Sequence, residues 1–177
     1  VFGSNALYGT INVVTRSVDA TPSQVRVEAG SRDYYRVSAS GAVDGGIALS
    51  AQTSQYGGYQ DASGYDQQKA TLRIDQEWGN WRVDGALEGS QLDQETAGYI
   101  RGFEAYEDDQ ARKENPNPEA YRNAWSGRGH IGLTRDWGNS SEFTIRPFWR
   151  SNSMTFLQHY LPWQATETNR HHSMGLQ

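Results

Sequence analysis

The chain has 177 residues with a net charge of −5, 12% aromatic residues, 19 glycines and no cysteine. The absence of cysteine excludes a disulfide scaffold, a zinc finger and a thiol nucleophile, and the acidic balance argues against bulk nucleic-acid binding. No apolar run is long enough for a transmembrane helix, and the aromatic content argues against disorder. A soluble all-β domain or a β-barrel with thinly spread apolar residues remains.

Alternation of apolar and polar residues recurs along the chain. Period 2 places one set of side chains on each face of a strand, so the pattern predicts an all-β antiparallel meander of about eight strands. Seven alternating segments span residues 25–30, 35–44, 47–52, 69–78, 81–88, 130–137 and 143–150, and an eighth begins at Ser173.

The connections between these segments alternate in length. Short joins lie at 44–46, 79–80 and 138–141, and long joins lie at 56–65, 95–121 and 161–170. Short turns at one end and long loops at the other are typical of an outer-membrane barrel, although a soluble sandwich can segregate its loops by chance.

Tryptophans cluster at the short joins. A two-residue hairpin at 79–80 places Trp78 opposite Trp81 and Glu77 opposite Arg82, and Trp137 precedes another short turn. The pair indicates either an aromatic girdle at a membrane interface or an ordinary cross-strand pair in a soluble sheet.

The polar positions of the strands carry many charges, too dense for a packed apolar core. They suit bulk solvent or a wide, wet lumen that a separate polar domain fills. Pro147 falls inside a strand pattern, where a local bulge is expected. The charged residues on this face are Arg26, Glu28, Arg36, Lys69, Arg73, Asp75, Glu77, Arg82, Asp84, Glu88, Arg146 and Arg150.

Residues 2–16 read Phe-Gly-Ser-Asn-Ala-Leu-Tyr-Gly-Thr-Ile-Asn-Val-Val-Thr-Arg. This segment resembles the end of the plug domain of TonB-dependent outer-membrane receptors, which combines spaced glycines with an Ile-Asn strand. The family often has a second glycine where Tyr8 stands. The motif residues are Gly3, Ser4, Asn5, Ala6, Gly9, Ile11 and Asn12.

The resemblance implies a division of the chain. Residues 1–16 would end the plug, residues 17–22 would form a linker, and residues 23–177 would be the first part of a barrel of about 22 strands. We therefore expect the chain to be a segment of a longer protein of the bacterial outer membrane.

The resemblance also implies a function, namely ligand-gated and energy-coupled uptake of a scarce nutrient. Such receptors take up iron-siderophores, haem, cobalamins or glycans. The implied partners are outer-membrane lipid and lipopolysaccharide, the nutrient itself, and the TonB energy-transducing complex acting through the plug's N-terminus. No enzymatic activity is expected, because no catalytic constellation appears. No cofactor is expected, and the acidic balance argues against a nucleic-acid partner.

The long join at 95–121 is the best candidate for ligand binding. It holds seven acidic and three basic residues, a net charge of −4. Aromatic faces and an arginine bind ligands by stacking and charge-assisted hydrogen bonds, and the acidic run could bind a hard cation. A solvated loop is the plain alternative. The candidate binding residues are Tyr99, Arg101, Phe103 and Tyr106.

No metal site is expected from the only adjacent histidines. His171 and His172 follow one another, and neighbouring residues of a strand point to opposite faces. Only a loop conformation could bring the two side chains together.

Two other readings remain open. A small self-contained outer-membrane barrel with an adhesive or structural role predicts that the first and last strands pair. A soluble β-sandwich that binds carbohydrate on its Trp and Tyr residues predicts two stacked sheets with an apolar interior.

Overall fold

The computed structural model describes residues 16–138 and 140–177. The described residues form one antiparallel sheet of nine strands that follow one another as a meander. The strands are β1 (Gln24–Ala29), β2 (Tyr35–Val43), β3 (Ile47–Tyr56), β4 (Tyr65–Trp78), β5 (Trp81–Glu95), β6 (Tyr121–Asp136), β7 (Glu142–Ile145), β8 (Pro147–Leu157) and β9 (Thr166–Leu176).

The all-β antiparallel meander expected from the alternation is confirmed, with one more strand than the eight expected. The additional strand arises because the segment at 143–150 is interrupted at Arg146, which separates β7 from β8. Both pair with β6 in one register, Ile145 opposite Leu133 and Phe148 opposite His130, so no residue is inserted. The interruption therefore marks the place where Pro147 has no N–H to donate, and the expected bulge is absent.

Strands β4, β5, β6 and β9 are longer than the alternating segments that predicted them. β6 begins at Tyr121 and β9 at Thr166, whereas the alternation became visible only at residues 130 and 173. The first five residues of β9 are polar, and the added part of β6 has Trp125 and Ala124 side by side between polar residues. Neither stretch shows an apolar residue at every second position, so the sequence pattern does not reveal it as strand.

The register confirms the expected division of the sheet into two faces. Trp78 lies opposite Trp81 and Glu77 opposite Arg82 across the two-residue hairpin. Following the pairs across the sheet places every expected charged residue on one side, which we call the charged face. The other side, the apolar face, carries among others Val25, Val37, Leu49, Leu72, Leu87, Ile131, Trp149 and Met174.

Neither face is covered by a second layer within the described part of the chain. Only three described hydrophobic residues are buried, Val18, Ala48 and Ala120, while Leu49 on the apolar face is 55% exposed and Leu87 is 54% exposed. The sheet is open, with β1 and β9 at its two edges.

The described residues contain no α-helix, and their one helical element is a 3-10 turn at Ala111–Lys113. No helix in residues 16–138 or 140–177 has the length and apolar character needed to cross a membrane.

Candidate functional site

The long connections at one end of the sheet lie together. We call residues 30–34, 57–64, 96–120 and 158–165 the loop assembly, since each joins two strands at the end opposite the short turns. Hydrogen bonds link all four connections or the strand ends beside them. The four connections therefore form one hydrogen-bonded layer and are not four independent loops.

Two amide side chains join the second connection to the third. Gln60 Nε2 donates to the carbonyl oxygens of Gly98, at 3.2 Å, and Glu114, at 2.8 Å. Asn115 Nδ2 donates to the Ala62 carbonyl at 2.8 Å, while its Oδ1 accepts from the Gly98 and Asn117 backbone N–H groups. These contacts fix the middle of the longest loop over its neighbour.

The first and last connections are attached at the two sides. The backbone carbonyl of Arg32 accepts a hydrogen bond from the Gly57 N–H at 2.8 Å. The Arg32 guanidinium lies 4.5 Å from the centre of the Tyr59 ring. At the other side Gln164 Nε2 donates to Glu119 Oε1 at 2.7 Å. Sequence patterns did not single out Gln60 or Arg32, because their roles depend on contacts between loops far apart in the chain.

The four residues expected to bind ligand are all exposed to solvent. Tyr99 and Arg101 come together, with the guanidinium 5.3 Å from the ring centre. Phe103 is 93% exposed and Tyr106 is 64% exposed. Within the described chain, no aromatic or cation–π contact joins either of them to the Tyr99–Arg101 pair.

The acidic run is largely occupied by local contacts. Asp108 Oδ1 accepts hydrogen bonds from the backbone N–H groups of Gln110 at 2.8 Å and Ala111 at 3.0 Å. These donors, Ala111 foremost, lower the pKa of Asp108. Asp109 forms an ion pair with Arg112. In the ranges that the structure describes, no group of three or more His, Asp or Glu side chains could hold a metal ion.

The charged face is organised by carboxylate–arginine pairs near the short turns. Arg82 donates from Nε and Nη2 to the two carboxylate oxygens of Asp75, at 2.9 and 2.7 Å. Arg146 reaches both oxygens of Asp84, at 2.9 and 3.0 Å, although β6 lies between their strands. The two-nitrogen contact of Arg82 is the strongest form of carboxylate–arginine recognition, whereas Arg146 uses Nη2 alone for both of its contacts. They hold a wet, charged surface in a defined arrangement.

The segment before β1 lies against this charged face. Arg73 donates to the Arg16 carbonyl at 2.5 Å and to Thr21 Oγ1 at 2.6 Å. Val18, between these two contacts in the chain, is only 5% exposed. The expected linker at 17–22 therefore follows the sheet instead of extending away from it.

The two adjacent histidines lie on opposite faces of the sheet. His171 contacts Arg150 on the charged face, and His172 contacts Ser151 Oγ at 2.7 Å on the apolar face. The expected opposite orientation of these histidines is thereby confirmed. The motif residues Gly3, Ser4, Asn5, Ala6, Gly9, Ile11 and Asn12 lie outside the described residues.

Comparisons with protein-family models, with curated proteins and with solved structures gave no match to this chain.

Proposed function

We propose that the chain is part of an outer-membrane nutrient receptor, in which the sheet forms barrel wall and the loop assembly contributes to ligand capture. The observation that carries the proposal is that one uncovered sheet has an apolar face and a charged face. Its apolar face exposes Val, Leu, Ile, Met and Trp side chains, and its opposite face is lined with charges. Lipid on one side and a wet interior on the other satisfy both faces.

The height of the apolar region supports a lipid-facing role. On β5 the apolar face is apolar or small from Trp81 to Gly89 and becomes polar at Gln91 and Asp93. Nine residues advance about 27 Å along a strand, or roughly 20 Å across a bilayer at a barrel's usual tilt. That is close to the apolar band of about 25 Å on outer-membrane barrels. The polar strand ends would then project beyond the membrane toward the loop assembly.

The two alternatives fit the described residues less well. A soluble carbohydrate-binding sandwich needs a second sheet to cover the apolar face, and the described strands form one sheet. A self-contained small barrel needs its first and last strands to pair, and β1 and β9 are the two edges.

The ligand class and partners come from the resemblance of residues 2–16 to plug ends. On that basis the transported molecule is a scarce nutrient such as an iron-siderophore, haem, a cobalamin or a glycan. The energy-transducing complex and the outer-membrane lipids, lipopolysaccharide included, are the proposed partners. The proposal assigns ligand capture to Tyr99, Arg101, Phe103 and Tyr106 and assigns no catalysis to the chain.

A growth and uptake experiment tests this proposal. The gene is deleted from the source bacterium, and growth is measured with each of the four nutrient types as the limiting supply. We expect one of these nutrients to depend on the gene, and we expect full-length protein in the outer-membrane fraction. Dependence on none, or a protein found only in soluble fractions, would contradict the proposal.

Loop variants then test the assigned residues. Replacing Tyr99, Arg101, Phe103 and Tyr106 together by Ala should weaken binding of the identified nutrient by at least tenfold, since several stacking and charged contacts are lost. Gln110→Ala, an exposed change in the same loop, is the matched control. Equal affinity of both variants at normal surface expression would refute the assignment of these four residues.

A further inference from the structure

A single arginine lies among aromatic rings on the apolar face, beside the short turns. Arg135 pairs with Trp81 on one neighbouring strand and with Phe143 on the other. Its guanidinium carbon is 5.0 Å from the ring centre of Trp81 and 5.4 Å from that of Trp137. Both indoles therefore lie within cation–π distance of the guanidinium. A guanidinium that lies against ring faces can still donate hydrogen bonds from its terminal Nη groups in its own plane.

This arginine has no anionic partner in the described part of the chain. None of the ion pairs or side-chain hydrogen bonds there involves it, and its Nε is buried without an acceptor. The nearest carboxylates in sequence, Asp136 and Glu142, lie opposite each other in the register of β6 and β7, and both belong to the charged face.

The position of Arg135 is unusual for its face. From the row of Trp78 and Trp81 up to the row of Ala70 and Gly89, the described strands place no other Arg and no Lys, Asp or Glu on the apolar face. A cation is costly at the centre of a lipid bilayer and is tolerated near its interface, where headgroups are available.

We propose that Arg135, held between Trp81 and Trp137, binds the phosphate of an anionic glycerophospholipid. The guanidinium supplies a planar pair of N–H donors that match two phosphate oxygens, and the rings pack against the glycerol and upper acyl region. This inference rests on the proposed function, because it requires the apolar face to contact lipid.

The end of the sheet at which Arg135 lies determines which leaflet of the outer membrane supplies its lipid. Short turns face the periplasm in outer-membrane barrels, and the long loops face outward. Arg135 is at the level of the 79–80 hairpin, on the same side as the other short turns. The site therefore meets the inner leaflet, and its lipid is a phospholipid rather than lipopolysaccharide.

Lipid binding to the full-length protein tests the site. The purified protein in detergent is titrated with phosphatidylglycerol, and bound lipid is counted by native mass spectrometry. Wild type is compared with Arg135→Gln, Arg135→Lys and the control Arg122→Gln, which lies on the same strand but on the charged face. Separately, each protein is inserted into phospholipid vesicles and assayed for protease-protected mass.

We expect Arg135→Gln to bind phosphatidylglycerol about tenfold more weakly at one site, as loss of one charge-assisted contact predicts. Arg135→Lys should retain part of the affinity, and Arg122→Gln all of it.

Equal binding by wild type and Arg135→Gln would overturn the lipid site, while vesicle insertion of both would leave the proposed function standing. Failure of wild type to insert would overturn both. Displacement of the lipid by equimolar inorganic phosphate would overturn the assignment to a lipid.

Discussion

Gly132 is the residue that lets Arg146 reach across a strand to Asp84. A Cβ at this position would stand 2.5 Å from Asp84 Oδ1 and 2.9 Å from Arg146 Nε. Any side chain on β6 here must displace the carboxylate from the guanidinium. The glycine is thus required by the ion pair and not by a turn.

We expect Gly132→Ala to destabilise the full-length protein by about 1–2 kcal/mol, a modest value because both partners are partly exposed to solvent. Gly89→Ala is the matched control, since a Cβ there meets nothing within 4 Å. That change should be neutral or slightly stabilising. Urea unfolding in detergent measures both, and equal stability of the two variants would show that the ion pair contributes nothing.

Asp108 makes the stability of the 3-10 turn in the loop assembly depend on pH. Its folded-state pKa is lowered below the ordinary value of 3.8 by the backbone donors of the 3-10 turn. The charged form therefore stabilises the turn at all pH values above 3.8, and this contribution is lost as pH falls through the lower folded-state pKa. A carboxyl carbon NMR titration should give a midpoint below 3.8 for Asp108. A midpoint at or above that value would contradict the capping geometry.

At the scale of elements, the hydrogen bonds of Gln60 hold the longest loop in place. Gln60→Ala removes two hydrogen bonds to Gly98 and Glu114, so the loop at 96–120 should open more often. Loss of about 1.4 kcal/mol corresponds to a tenfold larger open population, which proteolysis reports when opening is fast. Trypsin cleavage at Arg101, Arg112 and Lys113 should accelerate about tenfold.

Gln68→Ala is the control for this change, because Gln68 is exposed on β4, away from the loop assembly. It should leave trypsin cleavage of the loop unchanged. A cleavage rate for Gln60→Ala equal to that of Gln68→Ala would show that these hydrogen bonds do not restrain the loop.

The strands could be predicted only where their two faces differ. Alternation over 69–78 and 81–88 located the hairpin and its Trp78–Trp81 register. The same reasoning placed the start of β9 too late, because Thr166–Arg170 is polar at every position. Local periodicity reports a difference in environment between faces, and a strand that is polar on both faces leaves no such signal.

The candidate site shows the same limit. The exposed aromatic residues of the long loop were visible in the sequence, and the structure keeps Tyr99 beside Arg101. The joining of the loops through Gln60 and Asn115 depends on contacts between residues up to 54 positions apart. The position of Arg135 between Trp81 and Trp137 likewise required the register of β5 and β6.

For the whole molecule, the central claim is that the apolar face contacts lipid and the charged face contacts water. Single cysteines bearing nitroxide labels along β5, from Arg82 to Gly89 in the full-length protein, test this in vesicles. Collision with oxygen reports lipid, and collision with a polar nickel complex reports water. We predict that Val83, Leu87 and Gly89 favour oxygen and that Arg82, Ala86 and Glu88 do not. Equal access of the nickel complex to both sets would contradict the account.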